Sequence, residues 1–475
     1  MHKSKFNTIQ IIMLLVLLIV SITTFILTIE SEILNTIIIF LSVTFTGFFL
    51  CRRMVFLTGD LKLNILSNFW LIKIAVTLLL LYMGWIPGLS PESPNWGYDP
   101  QRYYMYAQSL IESNWIPTYG INYHGIVFYY AFIFFLFGIN PVIPALINIF
   151  ITLLGTLYLI NISYRLKLNK INSNWVFSFL LLIPEFLWYD VMTARETLMA
   201  IMIIFSTIPM GEYIANVNSF SLIKTLALFL FCSAVILMVR TSMVIPVVVS
   251  LLAMIFIFKS RYSALKKLLT VMICIGATTI GMLIQNYIGG EGTNLLSLLE
   301  SLQSFEGNIA SQMDWGSNSI GLLIAPNNFW QAILFTPIRM LLYLAAPLPS
   351  ITISMSELAD GGYQAWQNLL VIPTSITMLL GFPYVLAGTA LAWRSRKSYS
   401  EALIIPTIFW ITFITVAGGN IIIHERYRVM FTLLLFFTML FGFTGCSRIN
   451  IRFWALGWYG LLVLAILFYL LYKII

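Results

Sequence analysis

Residues 126–138, IVFYYAFIFFLFG, are almost uniformly apolar but short for a membrane crossing, and their reading decides the topology of everything that follows. A bilayer core needs about 20 helical residues, so this run either crosses or dips in and returns to the side it left. If it dips, the next apolar run, about 141 to 163, travels inward and leaves Arg165, Lys167 and Lys170 in the cytoplasm. If it crosses, those three cations lie outside. Cytoplasmic loops are the ones enriched in Lys and Arg, which favours the dip.

Immediately upstream stands GYDPQRYYMYAQSLIESNWIPTYGINYHG, residues 97–125, a long polar interruption in an otherwise almost continuously apolar chain. Of the 475 residues, 60% are hydrophobic and 9% charged, whereas a soluble domain carries about a quarter charged residues. Runs of about 20 apolar residues recur along the chain, and in lipid each must be helical to satisfy its own backbone groups. The fold class expected is therefore an all-α polytopic membrane protein. The net charge of +8 does not point to nucleic acid, because the cations are spread over short loops and form no single basic face. Cys51, Cys232, Cys274 and Cys446 show neither CxxC nor metal-ligand spacing, so no disulfide and no cysteine metal site is expected.

With the dip adopted, the spans alternate. Lys3 and Lys5 hold the N-terminus in the cytoplasm, and a retained first helix, about 8 to 27, leads out. Spans at about 34–51 and 67–86 then deliver the 97–125 stretch to the extracytoplasmic face. Further spans are expected at about 174–189, 197–213, 222–239 and 268–287, with one more ending before Lys259, followed by a polar region over 288–328. Residues 329–347, FWQAILFTPIRMLLYLAAP, must start and end outside as an interfacial helix if Arg394, Arg396 and Lys397 are to be cytoplasmic after a span at about 366–391. Spans at about 402–420, 429–446 and 453–472 complete a bundle of about 13 transmembrane helices, with interfacial helices in the extracytoplasmic loops. On this map most of the 26 Lys and Arg fall inside and most of the 18 Asp and Glu outside. Residues 1–475 read as a single integral membrane domain: an N-terminal helix pair over 1–64, a core over 65–445 and a final helix over 446–475.

The candidate chemistry gathers on the outer face. Asp99 lies just beyond a span, with Arg102, Tyr103 and His124 in the same stretch. The same residues also read as a turn in which Asp99 caps the helix that Pro100 opens and Arg102 is its local ion partner. The two readings are compatible, since a cap holds a carboxylate still. Arg102, Arg195, Arg240, Arg339, Arg426 and Arg428 all fall near outer helix ends, and none of these cations is Lys. Arg recognises phosphate in a bidentate way that Lys does not, so six together point to an anionic ligand; individually they can pair with Asp190, Glu196 and Glu425 or snorkel. HERYR, residues 424–428, groups His424, Arg426 and Arg428 around Glu425 directly before a long span, as a phosphate clamp or an ion network. No His stands at metal-motif spacing, so no histidine metal site is expected.

The order of these pieces resembles the bacterial GT-C glycosyltransferases that use polyprenyl-phosphate sugars, among them the protein mannosyltransferases and the lipid A aminoarabinose transferase. The matching pieces are GYDPQRYYMYAQSL, FFLFGINPVIPALINIFITLLGTLYLI, IPEFLWYDVMTARETLMA and HERYRVMFTLLLFFTMLFG, within about residues 65–445. The resemblance implies a GT-C-like core in which Asp99 is the catalytic carboxylate, and Arg426 or Arg428, with Arg240, meets the donor phosphate. It implies no certain cofactor and leaves room for a divalent metal. Two extra spans precede the catalytic loop and no large soluble C-terminal domain is seen, which points to a lipid or glycan acceptor. Two other readings stand beside it: a polysaccharide repeat-unit polymerase or ligase using lipid-pyrophosphate glycans, and a lipid-linked glycan transporter. Transporters tend to show paired halves and midplane charges, whereas this sequence shows no such symmetry and concentrates its charges on one face.

Overall fold

A computed structural model of the chain describes residues 32–89, 99–117, 124–166, 174–215, 222–258, 329–346, 363–396, 400–419, 423–446 and 448–474, with the single residues 217, 272, 276, 279 and 358. The expected first span, the span at about 268–287 and the polar region 288–328 lie outside the described residues. Every described element is helical, and no strand occurs among them. Among the described residues, eight helices are long and apolar enough to cross a membrane, so the chain is an all-α, multi-pass membrane protein.

The helices are α1 (Glu32–Thr58), α2 (Ile65–Leu80), α3 (Asp99–Glu112), α4 (His124–Phe137), α5 (Val142–Arg165), α6 (Pro184–Val191) and α7 (Glu196–Ile214). They continue with α8 (Leu222–Val239), α9 (Val244–Ile257), α10 (Phe329–Ala345), α11 (Tyr363–Ser395), α12 (Ile404–Gly419), α13 (Glu425–Gly445) and α14 (Arg448–Ile474). A π-helical turn at Leu81–Trp85 and a short turn at Ile86–Gly88 extend α2. At the core, α13 packs against α11 with almost no side chain between them. A Cβ on Gly388 would stand 2.3 Å from the Thr438 carbonyl oxygen, and one on Gly442 would stand 2.0 Å from that of Tyr384. Glycine is required at both positions because the two backbones touch.

The bundle has two chemically distinct ends. One gathers Asp60, Tyr164, Arg165, Glu212 and Glu401. There the Tyr164 hydroxyl donates to Asp60 at 2.5 Å, and Arg165 pairs with Glu212 and, at 3.7 Å, with Glu401. The other end holds Asp99, Arg195, Arg240 and the start of α13. Both ends of α4 belong to this second end. Gly125 rests against the Met238 carbonyl at the end of α8, and Phe137 leads within a few residues into the start of α5, whose Asn148 bonds the Met192 carbonyl at 3.0 Å. The short apolar run therefore does not reach the opposite end, as its length requires. α10 also packs here: Arg339 Nε donates to the Ala417 carbonyl at 2.7 Å, beside the C-terminus of α12.

The span expected at about 174–189 is not one α-helix. It is a 3-10 helix, Asn174–Leu182, followed after Ile183 by α6. Pro184 is the cause: it disfavours α geometry in the preceding residue, and Ile183 is extended at φ −60°, ψ 118°. Having no N–H, Pro184 also leaves the Leu181 carbonyl without its 3-10 partner. Lys73 Nζ donates to that carbonyl at 3.4 Å and pairs with Asp190 at 2.6 Å, with both side chains fully buried. Pro383, within α11, frees the Leu379 carbonyl in the same manner, and Trp458 Nε1 of α14 donates to it at 2.7 Å.

Arg428 is the most connected side chain of the interior. Its Nε donates to Glu185 Oε1 at 2.8 Å, Nη1 to the Ala346 carbonyl at 2.6 Å and Nη2 to the Val371 carbonyl at 3.1 Å. Thr432 donates to the other Glu185 oxygen at 3.0 Å. This ties α6, α10, α11 and α13 together, so Arg428→Met is expected to destabilise the protein by about 3–5 kcal/mol. Adding Glu185→Leu should recover only part of the loss, because the α10 and α11 carbonyls stay unsatisfied. Denaturant titration in detergent micelles checks both; full recovery by the double variant would mean those carbonyl bonds contribute nothing.

Candidate functional site

The site is built where α3, α7, α8 and α13 begin or end. α3 is amphipathic, with Tyr103, Ala107 and Leu110 buried at helical spacing and its first turn pinned from two sides. Gln101 Nε2 donates to the Gly88 carbonyl at 2.7 Å, and the Thr193 hydroxyl donates to the Pro100 carbonyl. The link between α6 and α7 has carbonyls that no helix satisfies. Tyr130 of α4 donates to Ala194 O at 2.7 Å, and Asn148 of α5 to Met192 O. Three elements thus fix Arg195 at the mouth of α7.

Opposite α3, His424 caps α13 with Nδ1 accepting the Arg426 N–H at 3.3 Å. Arg426 then reaches across the bundle: Nη1 donates to Asp99 Oδ2 at 2.8 Å, and Nη2 to the Tyr427 hydroxyl at 2.9 Å. The Arg240 guanidinium lies 4.4 Å from the centre of the Tyr427 ring, and that of Arg426 lies 4.9 Å from it. Arg195 lies 5.9 Å from the Tyr103 ring, with its nearest carboxylate, Glu196, 3.6 Å away. The Nε atoms of both Arg195 and Arg426 are buried without a hydrogen-bond acceptor.

Burial pushes the Asp99 carboxyl up, but the charge and hydrogen bond of Arg426, followed by Arg195 and Arg102, outweigh it and hold the group below the usual carboxylate range. Burial, and after it the neighbouring Arg195, lowers the Arg240 guanidinium. Burial raises the Tyr103 phenol, which is a neutral donor at physiological pH. The arrangement is a carboxylate, Asp99, held ionised by Arg426, with two further guanidinium groups, Arg195 and Arg240, and the phenols Tyr103 and Tyr427 around it.

Asp99, Arg426, Arg240, Arg195, Tyr103 and Glu196 of the sequence candidates come together here. Arg102 is within electrostatic reach, but Asp99 takes Arg426 as its partner, a correction to the expected local pair. Glu425 is turned aside: Gln367 donates to it and to the Tyr189 hydroxyl, while His424 stands 3.3 Å from its other oxygen. Arg428 and Asp190 lie deeper, in the Glu185 and Lys73 pairs, and Arg339 serves the Ala417 carbonyl. Arg428 is fully buried, with Nε, Nη1 and Nη2 each bonded within the protein. His124 packs edge-on against Phe128, and burial, with no charged side chain contributing, lowers its imidazole.

Tyr427 and Gln367 went unnoticed among the candidates. Tyr427 lies inside the HERYR run, where its neighbours' charges were the visible signal; Gln367 carries no sequence signal. Among the described residues no three His, Cys, Asp or Glu converge as a metal ion would need. No family model, curated protein or solved structure matches the chain.

A carboxyl whose folded-state value is depressed contributes stability that is complete above its unfolded value, about 3.9, and is lost as pH falls through the folded value. The thermal stability of wild type over Asp99→Asn should therefore be constant from about pH 7 to pH 4 and shrink only below. An advantage that already fades near neutrality would contradict the ionised Asp99–Arg426 pair.

Proposed function

We propose that the protein is a membrane glycosyltransferase of GT-C type, with about 13 crossings and its site on the extracytoplasmic face, that moves a sugar from a polyprenyl phosphate to a lipid or glycan acceptor. The observation that carries this reading is the Asp99–Arg426 pair set among Arg195, Arg240 and Tyr427. A base and an anion-binding guanidinium stand side by side, with further guanidinium groups close by.

The pair also defines the order of events. A carboxylate clamped by a guanidinium is a weak base, and a phosphate is a stronger bidentate partner for Arg than one carboxylate oxygen. The donor phosphate enters among Arg426, Arg240 and Arg195 and draws Arg426 from Asp99. Freed of its partner, Asp99 accepts the proton of the acceptor hydroxyl as that oxygen bonds to the anomeric carbon. The bond from that carbon to the phosphate oxygen breaks, its electron pair leaves with the polyprenyl phosphate, and the configuration inverts. The developing phosphate charge is met by arginines already in place. Arg102, one turn along α3 from Asp99, is within electrostatic reach of the carboxylate.

The excess of guanidinium over carboxylate favours one second reading, a repeat-unit polymerase or ligase acting on a lipid pyrophosphate, whose larger charge the three arginines would match.

Two assays test the reading. Sugar transfer from a synthetic polyprenyl-phosphate sugar should fall about 10²–10⁴-fold in Asp99→Asn, at equal expression. Binding of the sugar-free polyprenyl phosphate should be retained or tightened in Asp99→Asn, which releases Arg426, and weakened about 10-fold or more in Arg426→Gln. Equal transfer by wild type and Asp99→Asn removes the base, and a lipid phosphate that ignores Arg426 removes the order of events.

A further inference from the structure

At the end of the bundle opposite Asp99, the last turns of α11 and α13 and the first turns of α14 enclose a cavity of about 350 Å³. Its floor is made by Ala387, Ala390 and Gly445, whose small side chains leave the space open, and its walls by Phe453 and Trp454. Arg394 lines it as well. The volume lies in the range that holds small-molecule ligands.

Two independent features identify the occupant. The first is depth and solvent. α14 shows apolar side chains outward, with Phe453 at 71% and Leu456 at 78% exposure, so the rim of the cavity on this side is apolar, as a surface meeting lipid would be. Trp454 in its lining and the nearby Trp393 are residues of the kind that collects at membrane interfaces. The second is charge. Arg394 and Arg452 make no hydrogen bond or ion pair among the described residues, and the described acids of this end are already engaged. Asp60 is taken by Tyr164, and Glu212 and Glu401 by Arg165. Arg396 differs, because its guanidinium lies 4.1 Å from the centre of the Trp393 ring and donates to the Trp393 carbonyl at 2.8 Å. The cavity thus joins an apolar floor to a cation that meets no counter-charge among the described residues.

We propose that this cavity binds an anionic phospholipid, its phosphate against Arg394 and one acyl chain laid over Ala387, Ala390 and Gly445 between α11 and α14. Basic pockets between transmembrane helices recognise lipid headgroups by this combination. The proposal is independent of the transferase reading.

The test uses the purified full-length protein in detergent micelles, titrated with phosphatidylglycerol or phosphatidylcholine, with bound lipid counted by native mass spectrometry. Wild type should retain phosphatidylglycerol in preference to phosphatidylcholine. Arg394→Gln should weaken that retention about 10-fold, and Arg396→Gln, a charge loss outside the cavity, should leave it unchanged. Ala390→Phe fills the floor and should reduce retention of both lipids, with lipid-free thermal unfolding confirming that each variant is folded. Equal losses in Arg394→Gln and Arg396→Gln would show diffuse attraction in place of a site. Indifference of wild type to the headgroup, or of retention to Ala390→Phe, would also overturn the proposal.

Discussion

A guanidinium buried in hydrocarbon has no water to fall back on, and Arg428 meets that constraint by spending its donors on Glu185, the carbonyls that end α10 and a carbonyl of α11. The same rule governs the helix breaks. Pro184 and Pro383 each release a carbonyl that lipid cannot satisfy, and in each case a polar side chain from another helix, Lys73 or Trp458, is aimed at it. The imperfections of the helices thus become the points at which distant parts of the chain are fastened together. Apolar contact alone cannot do this in a bilayer, where lipid tails are as apolar as leucine.

The two buried ion pairs share one element. Glu185 and Asp190 are both on α6, held by Arg428 of α13 and Lys73 of α2. From α6 the chain passes through Thr193 and Arg195 into the site. Its outer end can stay non-helical because Tyr130, Asn148 and Thr193 engage the surrounding carbonyls and turn it toward α3. The deep charges set the position of α6, and the position of α6 sets where Arg195 stands relative to Asp99.

Much of this was legible in the chain itself. Composition and span length pointed to a helical membrane protein, while the short run at 126–138 could be read either as a crossing or as a dip, with the cations after it favouring the dip. Asp99 was singled out because it is an acid at a helix start in an interruption with few charges. The roles of individual arginines were not legible, and α13 shows why. Arg426 and Arg428 are two residues apart, about 200° around a helix, so the two arginines of HERYR face opposite directions. One meets Asp99 and the other Glu185, and only the packing of α13 decides which. Asp190 and Lys73 were more accessible to reasoning. A lysine in the middle of an apolar span demands a buried acid, and applying that demand to Lys73 would have removed Asp190 from the list of free outer-face acids.

The contact of Gly388 and Gly442 with facing backbone has a mechanical meaning. Two helices whose main chains touch cannot slide or roll past one another without steric overlap, so α11 and α13 behave as one stiff mast carrying Arg426 and Tyr427. Asp99 belongs to neither helix of that pair. α3 is a separate helix, buried along Tyr103, Ala107 and Leu110, and it ends in a turn where Asn114 and Trp115 take positive φ of 54° and 66°. The guanidinium of the Asp99–Arg426 pair is thus positioned by backbone touching backbone, and its carboxylate by the side-chain bonds of Gln101 and Thr193 that hold the first turn of α3.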